Sequence, residues 1–270
     1  MSTLLTILSF LRPSNNPLLK EELSQFPEIR EFVFRPYVNR YWKVRDRLQA
    51  IQNHYLLVNE CLPFLNLANK KSVEIAQYDF GQDKLRIVMD RPAWMRREGE
   101  LGISFFYGID RIYTATFLVA GTRDKLQLMV GNLQGDGRDR QALYKEFTKA
   151  MHGMRPRDFL IHVLKILGQE LGCTEILGIS DDAHRSSHWL TRAKKVSTYD
   201  QIWLEHDGVK DEATGFFIIP SRISKRTVEE IPSNKRGLYR RRYQLIDELQ
   251  LTIGALVKNA GSNRSAITRN

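Results

Sequence analysis

Cysteine is nearly missing from this chain: only Cys61 and Cys173 occur in 270 residues, far apart and each beside apolar neighbours. That leaves no disulfide framework and no thiolate zinc site, and it fits a reducing compartment. No window approaches the roughly eighteen uncharged apolar residues that a membrane-spanning helix needs. The opening MSTLLTILSFLRP has a short apolar run without a basic leader or a small-residue cleavage site, so it reads as a poor signal peptide that docks on the fold or lies on a membrane surface. There is no Walker loop, no GxGxxG turn and no GxSxG elbow. P-loop hydrolysis, Rossmann redox and α/β-hydrolase chemistry therefore lack their usual parts. Internal repeats and low-complexity tracts are also absent.

What is present is an ordinary folded composition, with 42% hydrophobic and 27% charged residues. Lys and Arg exceed Asp and Glu by ten, which attracts polyanions without choosing among them. The apolar spacing of Leu18, Leu19, Leu23 and Phe26, then of Val44, Leu48, Ile51, Tyr55 and Leu56, predicts helices punctuated by Pro27, Pro36 and Pro63. From Glu74 the period changes to two. Strands are expected at Val73–Phe80, Leu85–Asp90, Gly99–Tyr107, Arg111–Ala120 and Leu126–Leu133, forming an antiparallel meander. Helices at Arg138–Met151 and Arg157–Leu171 follow, then a buried strand at Glu175–Ser180 and a basic helix at about Lys235–Val257. The fold class is α+β, an antiparallel or mixed sheet covered by helices with an N-terminal helical extension. The expected organisation is a helical region 1–72, a core 73–258 and a frayed tail 259–270.

Four places carry side chains suited to chemistry. His152 lies between helix breaks and beside Arg155, where a neutral-pH proton carrier meets a helix N-terminus that favours anions; the plainer reading is a loop with a surface histidine. Glu98 and Glu100 fall on one face of an expected strand, as a base or cation site or merely as its solvated face beside Arg96 and Arg97. The loop SDDAHRSSHW, with Asp181, Asp182, His184 and His188, reads as a polar site loop, since Arg185 stands where an HExxH metal motif needs glutamate. In SNKRGLYRRRY, Arg242 falls inside the apolar arc of the helix. It must meet an anion or a carboxylate such as Glu100 or Asp200, and Lys235 and Arg236 extend the basic patch. The tyrosines in that segment are spaced for core packing, which argues against nucleic acid.

The blocks EGEL, GNLQG, TKAMHGMRP, YDQIW and SNKRGLYRRRY, in that order, resemble the VirK/YbjX-type family of bacterial proteins over about residues 40–250. The resemblance implies a Gram-negative protein linked to virulence and to responses to bacteriocins or antimicrobial peptides at the envelope. Cysteine usage, the poor signal peptide and the basic charge add the expectation of a cytoplasmic location, either free or peripheral to the inner membrane, and of an anionic small molecule, peptide or envelope component as partner. A looser similarity is to the GNAT acyltransferase core, although the RxxGxG/A signature is missing, an extra helix intervenes, and Gly135 and Gly137 lie early. That similarity implies acyl-CoA pyrophosphate on the helix N-terminus at Arg155 and Arg157; beside it, the residues read above offer Gln134 toward the cofactor, Glu100 or His152 as base, and His184, Lys235, Arg236 and Arg242 toward substrate or anion. An enzyme of this kind is expected to bring Glu100, His152 and Arg242 into one pocket. A non-catalytic accessory protein is expected to leave them scattered.

Overall fold

A computed structural model describes residues 3–68, 70–137, 139–185 and 198–267, with side chains described to residue 262. Three helices open the chain: α1 (Thr3–Leu11), α2 (Pro17–Gln25) and α3 (Val44–Glu60). Asn16 caps α2 by accepting the Leu19 N–H at 3.2 Å, and Pro17 takes the first helical position, where a missing N–H costs nothing. Five strands then run back and forth: β1 (Ser72–Phe80), β2 (Asp83–Asp90), β3 (Leu101–Tyr107), β4 (Asp110–Thr122) and β5 (Lys125–Gly135). They are the expected meander.

Two helices, α4 (Gln141–Ala150) and α5 (Pro156–Glu170), carry the chain across to β6 (Cys173–Ile179), which lies parallel to β5. After α6 (Tyr199–Glu205) come β7 (Val209–Asp211) and β8 (Phe216–Ile219), and the sheet order is β1-β2-β3-β4-β5-β6-β8-β7. The last helix, α7, runs Arg236–Ile267, well past Val257, where the apolar pattern led us to end it. Leu256, Val257 and Ala260 still pack on the core, which carries the helix through the weak formers that follow. No described helix is long and apolar enough to cross a membrane.

Each face of the sheet has its own core. Phe105, Phe117, Val119, Leu128 and Val130 meet α5 and α7 on one side, while Leu118, Ala120, Met129 and Ile179 meet the N-terminal helices on the other. The alternation along β4 and β5 divides them. A polar seam ties the N-terminal helices down. Glu100, buried at the entry to β3, accepts hydrogen bonds from Tyr37 Oη at 2.7 Å and Tyr55 Oη at 2.6 Å, and Arg96 lies 3.9 Å away. Arg96 also approaches buried Glu22 at 3.5 Å and sits 4.0 Å over the Phe26 ring.

His54 of α3 is fully buried and accepts the β4 N–H of Val119 on Nδ1 at 3.1 Å. Burial, helped by the charge of Arg96, pushes its pKa from 6.5 down to about 3. The folded protein therefore keeps His54 neutral while the unfolded chain protonates it below 6.5. This stability is present above pH 6.5 and is lost as pH falls toward 3, by up to about 1.4 kcal/mol per pH unit. Urea unfolding across that window is expected to show a flatter pH dependence for His54→Gln than for the wild type. Parallel curves would contradict the assignment.

Candidate functional site

The sheet opens where β5 and β6 part. Their parallel pairing runs from Leu126 with Cys173 to Val130 with Gly178, after which β5 continues alone beside β4 as far as Gly135. Gly131 is an extra residue at that point, because Thr116 pairs Asn132 while Phe117 pairs Val130. Such a bulge bends a strand. A Cβ on Gly131 would lie 2.1 Å from the Glu98 carbonyl oxygen, so only glycine lets the Glu98 segment come this close.

Between the parted strands is a cleft of about 1120 Å³. Gln134 lines it from β5, Tyr144, Lys145 and Thr148 from α4, Arg155–Arg157 from the start of α5, Asp181 and His184 from the loop after β6, and Tyr199 and Glu205 from α6. Trp203 fixes α6 there: its Nε1 donates to Ile179 O at 2.8 Å, and its ring lies flat where Gly178 has no side chain. Asp181 and Asp200 each accept the other's backbone N–H, at 3.1 and 2.7 Å, which locks the loop to the helix. Thr198 completes the start of α6 by accepting the Gln201 N–H at 3.2 Å.

The floor is a chain of buried polar groups. Tyr199 Oη donates to Asn132 Oδ1 at 2.6 Å, and Asn132 Nδ2 donates to Glu98 Oε2 at 2.7 Å. The other carboxylate oxygen, Oε1, has Arg185 Nη2 at 2.7 Å and His184 Nε2 at 3.7 Å. Burial raises the Glu98 pKa, with Arg185 and Asn132 opposing it. Burial and the Glu98 charge keep the Tyr199 phenol well above its ordinary value, so it stays protonated. At the rim, Lys145 and Arg155 are exposed and have no carboxylate partner among the described residues, whereas Arg157 pairs with Asp158 at 3.0 Å and with Glu205. Pro156 at the first position of α5 leaves the next N–H groups of the helix facing the same rim.

Six of the residues singled out from sequence meet here: Glu98, Gln134, Arg155, Arg157, Asp181 and His184. Glu100, His152, Lys235, Arg236 and Arg242 do not line the cleft. Glu100 is held by Tyr37, Tyr55 and Arg96 in the seam with the N-terminal helices. His152 adopts a left-handed turn at φ 52°, and its carbonyl accepts a hydrogen bond from Arg242 Nε at 3.1 Å. Arg242 also lies 4.5 Å over the Tyr239 ring, so a carbonyl and a ring answer its charge in place of Glu100 or Asp200. Burial and the charges of Arg241 and Arg242 lower the His152 pKa. Lys235 and Arg236 are exposed around the start of α7. The expected convergence of Glu100, His152 and Arg242 is therefore not made.

Nor are Glu98 and Glu100 a solvated strand face. Both are buried, and both precede β3: Glu98 closes a 3-10 turn at Ala93–Glu98. Sequence reasoning passed over Asn132, Lys145, Arg185 and Tyr199, although Tyr199 opens the YDQIW block. Asp182 accepts Tyr41 Oη at 2.7 Å, His188 lies outside the described residues, and no metal-like group of three His, Cys, Asp or Glu occurs among those described.

A sequence profile described as "Protein of unknown function (DUF535)" matches residues 2–255. The chain belongs to the DUF535 family. It is 27% identical to the uncharacterized protein YbjX of Escherichia coli over 248 residues, 88% of this chain and 74% of YbjX, which bears out the VirK/YbjX resemblance. An uncharacterized protein of Haemophilus influenzae is 32% identical over 148 residues, and the match spans 54% of this DUF535 chain and about half (49%) of that relative. The protein named membrane protein LapB in Mannheimia haemolytica is 24% identical over 172 residues, 62% of this chain and 72% of its own. No solved structure matches the chain.

The Gly131 contact yields a direct test. Gly131→Ala is expected to push the Glu98 segment away from β5 and to cost roughly 1–3 kcal/mol in denaturant unfolding. An unchanged midpoint would mean that this close approach is dispensable.

Proposed function

We propose that the cleft is the active site of an acyltransferase-like enzyme that uses an acyl-CoA donor and acts on an envelope component or peptide, within the Gram-negative response to bacteriocins and antimicrobial peptides. The observation that carries this reading is the pairing, in one cleft, of an uncompensated cationic rim with a buried carboxylate floor. Lys145, Arg155 and the α5 N-terminus suit the phosphates of the donor. The order of meander, crossover helix and parallel strand supports the GNAT comparison at the level of fold alone.

In the reaction, an acceptor amine or hydroxyl attacks the thioester carbonyl carbon. A C–N or C–O bond forms, the C–S bond breaks, the acceptor proton passes to Glu98, and Glu98 returns a proton through water to the departing thiolate, which leaves as the free thiol. A carboxylate whose pKa burial has raised is the better base near neutral pH. Asn132 is bonded to Glu98 and held by the Tyr199 hydroxyl, so the two side chains position the carboxylate.

Saturating acyl-CoA is expected to raise the melting temperature by several degrees, since ligand at about a hundred times Kd adds roughly 2.7 kcal/mol. Lys145→Ala and Arg155→Ala should each erase most of that rise. Glu98→Gln should keep it while lowering release of free thiol, with amine and hydroxyl acceptors present, by about 100-fold or more. No rise with any acyl-CoA would remove the proposal.

A second reading, a non-catalytic accessory protein, is the one that the scatter of Glu100, His152 and Arg242 favours, and a further observation goes with it. Lys235, Arg236, Arg240 and Arg241 are exposed and have no carboxylate partner among the described residues, as a non-catalytic accessory protein binding an acidic partner through its basic face would require. Function lost on charge reversal there, yet kept in Glu98→Gln, would favour that reading.

A further inference from the structure

Helix α1 presents two unlike faces. Its sequence, TLLTILSFL, carries no charge, and Thr6 and Phe10 are its buried residues. It is held against α3, where Gln52 Nε2 donates to Ser9 Oγ at 3.1 Å. At about 3.6 residues per turn, Leu4, Leu8 and Leu11 follow the i, i+4, i+7 spacing and lie opposite Thr6 and Phe10. They are 65%, 50% and 37% exposed. Single exposed leucines need no explanation, but three in a row along an uncharged helix make a stripe that water solvates poorly.

The charge around the stripe indicates what covers it. The first 20 residues contain Arg12 and Lys20 and no Asp or Glu. Arg12 follows directly on α1, and both cations are exposed with no acidic partner among the described residues. The whole chain carries a net charge of +10. An uncharged leucine stripe followed directly by Arg12, on a chain with an excess of cations, complements an anionic bilayer surface, where apolar side chains enter the acyl boundary and cations meet headgroup phosphates. Another protein's apolar groove would match the leucines but would give the excess of cations no role.

We propose that α1 seats this protein on anionic lipid bilayers, lying in the interface plane with Leu4, Leu8 and Leu11 inward and Arg12 and Lys20 at the headgroups. This holds whatever chemistry the cleft performs.

The test is co-sedimentation of the full chain with vesicles of phosphatidylglycerol and phosphatidylethanolamine, compared with phosphatidylcholine alone. The wild type is expected to bind the anionic vesicles and to release them at high salt. Leu4→Gln/Leu8→Gln should weaken binding by about tenfold or more. Arg12→Glu should weaken it on anionic vesicles. Glutamine favours helices and the changed side chains face water, so both variants should keep the wild-type melting temperature and elution volume. Three results would each overturn the proposal: no sedimentation of the wild type, binding equal in the leucine double variant or on neutral vesicles, or a wild-type dimer that the double variant dissolves. The last would make a second copy of the chain the occupant.

Discussion

One buried carboxylate organises the molecule. Glu100 is shut away from solvent by its burial, so its carboxylate must be satisfied by what the chain brings to it, and the groups that arrive are Tyr37 and Tyr55, respectively 63 and 45 residues earlier. Hydrogen bonds to a charge contribute about 1.5–3 kcal/mol each, and losing a partner from a buried ion costs about 3–5 kcal/mol. Those hydroxyls, with Arg96 bridging toward Glu22 and Phe26, join the N-terminal helices to the sheet face they cover. The two parts therefore share this polar seam, and the His54 bond to Val119 adds to it.

The cleft follows from that anchorage. Two residues before Glu100, a second buried carboxylate, Glu98, needs an entirely separate set of partners, and Gly99 between them lies so close to β4 that a Cβ would meet the Phe117 nitrogen at 2.6 Å. With Glu100 tied to the helices and Gly99 pressed against β4, Glu98 falls over the bulge at Gly131 and faces Asn132. The same bulge bends β5 away from β6. One local departure from strand regularity thus opens the sheet and places a carboxylate at the opening.

Much of the scaffold was readable from residue order. The period-two stretches marked β1 to β5, and the apolar arc of Phe159, Leu160, Val163, Leu164 and Leu167, with Gly172 after it, marked α5. The site was half readable. Arg155 and Pro156 announced an anion-friendly helix start, and the Glu98 segment was singled out, but the choice between Glu98 and Glu100 depends on tyrosines far away in sequence. The charge of Arg242 was equally ambiguous. Its inward position on α7 called for a partner, and periodicity carries no sign that the partner would be the carbonyl of a left-handed His152 and a tyrosine ring. The parallel pairing of β5 with β6 was likewise unmarked, since buried strands of either sense look alike in apolar content.

The reach of α7 bears on how the chain is made. That helix packs on β1 and on the Pro63–Leu65 turn, elements near the opposite end of the sequence, as well as on α5. During synthesis the sheet can pair in order, hairpin after hairpin, yet the face that α7 covers stays wet until the last stretch has left the ribosome. A nascent chain stalled before Arg236 would expose that half of its core, so timely completion, as much as composition, protects this protein from aggregation.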